Sequence, residues 1–161
     1  SYEVHVYSRT DLHHEGRFKG DAYGFFDLPS LAVDDTAVYW HSSGSDCVRK
    51  HNKDSGESMF RYPHVPSLRE KCRDMCVSRT HLYIASNTKI TVFSKGGEYK
   101  RTIKQPPNLF VTLAVDDVRG ELYVGATIPW TDVPPEQVGA YQMPPTRPAV
   151  RVFLLPPDEC R

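Results

Sequence analysis

The chain has 161 residues, a mass of 18.3 kDa, and 20 basic side chains against 20 acidic ones. That length fits one domain or a segment of one. With 39% hydrophobic and 11% aromatic residues it can pack a core, which excludes a disordered chain. A formal net charge of zero removes a global electrostatic grip on nucleic acid or on an acidic membrane. No apolar run reaches the ~20 residues that span a bilayer, so membrane insertion is not expected, and the polar start after Ser1 carries no leader pattern.

In chain order the sequence repeats itself. It opens with Val4-His5-Val6-Tyr7, an alternating segment, followed by Gly16-Arg17-Phe18-Lys19. Three segments then share an apolar stretch closed by turn residues: Leu31-Ala32-Val33-Asp34-Asp35, Met75-Cys76-Val77-Ser78-Arg79 and Leu113-Ala114-Val115-Asp116-Asp117, with their last valines 44 and 38 residues apart. Each is followed by a hydrophobic–tyrosine pair, Val38-Tyr39, Leu82-Tyr83 and Leu122-Tyr123, the tyrosines 44 and 40 apart. A third motif comes next: Val48-Arg49-Lys50-His51, Ile90-Thr91-Val92-Phe93 and Val150-Arg151-Val152-Phe153, to which Val4-His5-Val6-Tyr7 adds another copy. Ser58-Met59-Phe60-Arg61 and Tyr99-Lys100-Arg101-Thr102-Ile103 supply outer segments like Gly16–Lys19.

Every motif alternates apolar and polar residues and is rich in β-branched and aromatic types, which predicts strands of four to six residues. The breakers are turn chemistry: Ser43-Gly44-Ser45, Asp54-Ser55-Gly56, Lys95-Gly96-Gly97 and Arg119-Gly120 place glycine where a hairpin needs positive φ. A single helical turn over 67–74 is the only helical pattern. Four short antiparallel strands in ~40 residues are the unit of a β-propeller blade. The predicted fold is all-β: a propeller arc of three to four blades cut from a larger ring. It comprises a partial blade 1–28, blades 29–66 and 67–110, and a partial blade 111–161. The Pro-rich stretch 128–148 lacks the period and is predicted to be a loop insertion in that last blade.

Tyr39-Trp40, between Leu31–Asp34 and Asp54-Ser55-Gly56, resembles the YWTD repeat of lipoprotein-receptor-type propellers, with His41-Ser42 where that family has Thr-Asp. The run from Ile90 to Tyr99, with Leu113–Asp117 and Glu121-Leu122-Tyr123-Val124, looks like the NHL repeat. The resemblance implies a six-bladed-type ring. It also brings two alternative activities: RNA binding on a basic face, and lactone hydrolysis around a central ion held by acidic residues.

The residues themselves favour a non-enzymatic interaction module. Asp34-Asp35 and Asp116-Asp117 recur with the blade, and a carboxylate that repeats with the blade is expected to close its turn rather than perform catalysis. The 7 histidines show no zinc-ligand spacing and are expected at the surface or in turns, with adjacent His13 and His14 facing opposite sides of a strand. No cofactor or metal is expected. Cys47, Cys72, Cys76 and Cys160 are too few for a disulfide scaffold, and their pairing stays open. Interface anchors are the informative class: Trp130, Tyr141 and Arg147 lie in the Pro-rich insertion, and His64 and Asn108 lie in loops expected on the same face. The expected partner is a protein, the remaining blades of the same protein, or another copy of the chain. Nucleic acid is disfavoured.

Overall fold

The computed structural model describes residues 2–8, 10–20, 30–41, 48–62, 72–104, 111–129 and 146–159. Two compact units divide the chain, Ser1–Lys71 and Cys72–Arg161. Among the described residues no helix is long and apolar enough to cross a membrane.

In the first unit, β1 (Tyr2–Tyr7) and β2 (His14–Gly20) form a two-stranded antiparallel sheet. Their connection is tied by Ser8 N–H to the His13 carbonyl at 2.8 Å, and Leu12 takes the left-handed φ of 56°. A four-stranded antiparallel sheet follows in sequence order: β3 (Ser30–Val33), β4 (Ala37–His41), β5 (Val48–Asn52) and β6 (Ser58–Arg61).

The second unit repeats that plan. β7 (Asp74–Val77), β8 (His81–Ala85), β9 (Lys89–Ser94) and β10 (Tyr99–Lys104) form a four-stranded sheet. β11 (Val111–Asp116), β12 (Glu121–Pro129) and β13 (Thr146–Leu154) form a three-stranded one, and a 3-10 turn over Pro157–Glu159 follows. The Pro-rich insertion is shorter than its composition suggests. Thr127↔Pro148, Ile128↔Arg147 and Pro129↔Thr146 continue the β12–β13 ladder, so only 130–145 separates the two strands. Pro129 and Pro148 each stand opposite a residue across the ladder, which composition cannot reveal. Asp74, the last residue of the expected helical turn, opens β7, and 67–71 lie outside the described residues.

Burial grades across each four-stranded sheet. The second strands, β4 (AVYWH) and β8 (HLYIA), are buried at every residue, whereas β6 is exposed throughout. A strand covered on both faces needs a near-continuous apolar run, and those two sequences supply it. Removing Tyr39 or Tyr83 from water contributes about 2–3 kcal/mol each through apolar area. The core of the second unit joins its two sheets through Ile90, Val92, Val111, Leu113, Leu122 and Val124, with Leu155 closing it.

The turns recur as well as the strands. Lys53 N–H donates to the Thr36 carbonyl at 3.0 Å, Lys95 N–H to that of Thr80 at 2.9 Å, and Leu155 N–H to that of Gly120 at 2.8 Å. In each sheet the end of the third strand is thereby tied to the first hairpin. Gly56, Gly97 and Gly120 take φ of 71°, 93° and 66°, at the turn positions where the sequence placed them, and the expected turn at Ser43-Gly44-Ser45 lies outside the described residues.

Candidate functional site

The repeated tyrosine of each second strand presents its hydroxyl to a carboxylate, and each carboxylate comes from a different place. Asp34 sits in the β3–β4 hairpin. Its Oδ1 accepts the Thr36 and Ala37 N–H groups, both at 2.8 Å, and the Thr36 hydroxyl at 3.0 Å, while Oδ2 accepts the Tyr39 hydroxyl at 2.9 Å. This is the turn role expected for a short carboxylate that bonds its own backbone. Burial, then the hydrogen bond to Asp34, pushes the Tyr39 phenol well above its ordinary range. Tyr62 packs at 6.2 Å from the Tyr39 ring and is raised by burial and by the Asp34 charge.

Ser78 holds the corresponding position before β8. Its hydroxyl accepts the His81 N–H at 2.9 Å and closes the turn, but it brings no carboxylate to Tyr83. Glu159 supplies one from the C-terminal 3-10 turn. The Tyr83 hydroxyl donates to Glu159 Oε2 at 3.1 Å, Arg101 donates Nε to Oε1 at 2.7 Å and Nη2 to Oε2 at 3.1 Å, and the Thr80 hydroxyl donates to the Glu159 carbonyl at 3.0 Å. Glu159 is 3% exposed. Burial, followed by the Glu159 charge and hydrogen bond, raises the Tyr83 phenol. In the last sheet Asp116 Oδ1 closes the hairpin through the Val118 and Arg119 N–H groups, and Tyr123 donates instead to Glu121, two residues before it on β12.

The acidic residues also fasten β7 to β11. Asp74 Oδ2 accepts the Thr112 hydroxyl and the Leu113 N–H, both at 2.8 Å, and Asp117 Oδ2 accepts the Arg79 N–H at 3.1 Å. Start meets start and end meets end, so the two strands run in the same direction. The Ser86–Thr88 turn and the ends of β12 and β13 at Pro129 and Thr146 therefore lie at one end of this unit. Arg73 Nε donates to Asn87 Oδ1 at 2.6 Å there.

Of the expected interface anchors, Arg147 lies on β13 opposite Ile128. Trp130, Tyr141, His64 and Asn108 lie outside the described residues, as do Cys47 and Cys160. Cys72 donates through Sγ to the Asp74 carbonyl at 3.8 Å. Cys76 is a free thiol, pushed up to about 12 by burial and then by the Asp74 and Asp117 charges. The histidines correct one expectation. His41, His51 and His81 are buried strand residues, because they fill positions in the covered inner strands. Among the described residues no group of three or more His, Cys, Asp or Glu side chains could hold a metal ion. Glu159 was invisible to motif reading, since its partners lie 58 and 76 residues away; the one available signal was the break in the acidic repeat at Ser78.

Among the described residues β13 is the outermost strand of a sheet with three strands where the two fuller sheets have four. Along it Val150, Val152 and Leu154 are 70%, 51% and 79% exposed.

No protein-family model matches the sequence, and no curated protein does. Solved structures do. Hydrazine synthase of Kuenenia stuttgartiensis superposes with a TM-score of 0.56 at 15% identity, over 81% of this chain and 37% of that one. Hsv2 of Kluyveromyces lactis superposes with a TM-score of 0.56 at 11% identity, over 92% of this chain and 43% of that one. The chain thus spans about two fifths of the length of these structures. At such identities the likeness concerns fold alone: the chain is all-β and built from β-propeller blades.

Proposed function

We propose that the chain is a non-enzymatic protein-interaction module of propeller type, of the kind the NHL and YWTD resemblance implies. Its partner is a polypeptide strand that adds to the outer edge of β13, which pairs with no other strand among the described residues. The observation that carries this reading is the sheet β11–β12–β13: three strands among the described residues where the two fuller sheets have four, with Val150, Val152 and Leu154 exposed along the outermost one. A strand of nine residues offers about 30 Å of backbone donors and acceptors, and an added strand would satisfy them while covering the apolar row. The stretch 130–145, which carries Trp130 and Tyr141 and precedes Arg147 on β13, is assigned to the same partner. His64 and Asn108, which the sequence reading groups with these anchors, are assigned to the same partner. The acidic residues that repeat with the blade support the non-enzymatic reading. Asp34 and Asp116 close their turns, and Asp117 accepts the Arg79 N–H from the turn that follows β7.

In the isolated chain the available strand is that of a second copy. Light scattering during size-exclusion chromatography should show self-association, and Val152→Lys, which places a charge in the apolar row, should abolish it. Trp130→Ala and deletion of 130–146 should weaken it. A monodisperse, stable monomer of the unaltered chain overturns the edge reading. Association unchanged by the loop variants but lost in Val152→Lys removes the loop from the interface and leaves the edge. Lactone or ester hydrolysis that disappears with Asp34→Ala overturns the non-enzymatic reading.

A further inference from the structure

The N-terminal hairpin brings two histidines together through an irregularity in its ladder. β1 and β2 pair as His5↔Arg17 and Val6↔Gly16, and then Tyr7 stands opposite His14. One step on β1 matches two on β2, so Glu15 is an extra residue and β2 bulges there. In a plain ladder Tyr7 would face Glu15, and His14 would project from the other side, because successive side chains alternate faces. The bulge turns His14 onto the face that bears His5 and Tyr7, which is how bulges re-aim side chains.

The outcome is a close imidazole pair. His5 Nδ1 lies 3.1 Å from His14 Nε2, with ring centroids 5.3 Å apart and planes at 50°. Tyr7 stacks on His5 at 6.4 Å and meets His14 edge-on at 5.3 Å, which restricts both rings. All three side chains are exposed to solvent.

We propose that His5 and His14 chelate a late first-row divalent cation of the Zn²⁺, Ni²⁺ or Cu²⁺ class. Imidazole nitrogens bind such ions at about 2.0–2.1 Å, so two of them on one tetrahedral or square-planar ion stand roughly 2.9–3.4 Å apart. The observed separation of 3.1 Å is that of a hydrogen bond between the two rings and falls inside that range, so the ion takes the place of the shared proton as the rings tilt toward it. Two cross-strand imidazoles leave the other coordination positions to water or to an incoming ligand. Mg²⁺ and Ca²⁺ prefer oxygen donors and are not recognised here.

The test is calorimetric titration of the untagged full chain with NiCl₂ at neutral pH. One saturable equivalent is expected. His5→Ala and His14→Gln should each weaken binding at least tenfold with an unchanged melting temperature. His13→Ala, at an exposed neighbour, should leave it as it was, and excess MgCl₂ should not displace the nickel. Deleting Glu15 puts His14 directly before Gly16 and therefore still opposite Tyr7, on the face of His5, so this variant should retain binding. No saturable binding below about 1 mM overturns the proposal, as does binding that survives both His5→Ala and His14→Gln.

Discussion

Replacing Glu159 tests whether a distant carboxylate holds the second unit together. Glu159→Ala removes two charge-assisted hydrogen bonds from Arg101 and one from the Tyr83 hydroxyl. Hydrogen bonds to charged groups contribute roughly 1.5–3 kcal/mol each, and stripping one partner from a buried ion pair costs about 3–5 kcal/mol. The Arg101 side chain is 36% exposed while the Glu159 side chain is 4% exposed, so water can reclaim part of the guanidinium once its partner is gone. The expected loss is therefore about 2–3 kcal/mol, below the fully buried range. For a chain of this size each kcal/mol moves Tm by roughly 2–4 °C, so differential scanning calorimetry should show a drop of about 5–10 °C. Glu159→Gln keeps an acceptor but not the charge, and should fall between the two. Lys100→Ala breaks the 2.7 Å pair with Glu98, whose partners are 37% and 71% exposed, and should cost under about 1 kcal/mol. A Glu159→Ala protein within about 2 °C of the parent refutes the reasoning, because the buried network would then contribute nothing beyond a surface pair.

A Cβ at position 125 would sit 2.6 Å from Thr112 Cγ2, across the β11–β12 ladder. Gly125→Ala should therefore destabilise by about 1–3 kcal/mol in chemical denaturation. Adding Thr112→Ser, which removes that methyl and keeps the hydroxyl bonded to Asp74, should restore most of the loss. High pH should unfold the protein by a specific route. Tyr39, Tyr62, Tyr83 and Cys76 all have folded values raised above their ordinary 10.0 and 9.0. A raised group stabilises fully below its unfolded value, and that stability drains as pH climbs toward the folded one. Stability should thus be flat on the alkaline side up to about pH 9 and then fall, first through Cys76 and from about pH 10 through the tyrosines, by about 1.4 kcal/mol per pH unit for each group. In Cys76→Ala the fall should begin nearer pH 10, and an unchanged onset would show that Cys76 is not buried against Asp74 and Asp117.

The sequence by itself determined the periodic part of this protein. Strand positions follow from alternation, and the order of motifs fixed which strands share a sheet. The turn glycines Gly56, Gly97 and Gly120 marked the positive φ angles, because that conformation is a local demand of the backbone. The turn role of Asp34 was legible for the same reason: its bonds reach only two to five residues along the chain. Tertiary structure decided everything that breaks the period. Ser78 cannot offer Tyr83 a carboxylate, and only folding brings Glu159 from 76 residues away to do so. The extra residue at Glu15 reverses the face of His14, and alternation read along the sequence places it on the wrong side. The prolines at 129 and 148 suggested a loop, yet both stand in the β12–β13 ladder. A repeat reveals what each blade needs in common. What a single blade lacks, and which distant residue makes it good, is settled by packing between segments that the chain order keeps apart.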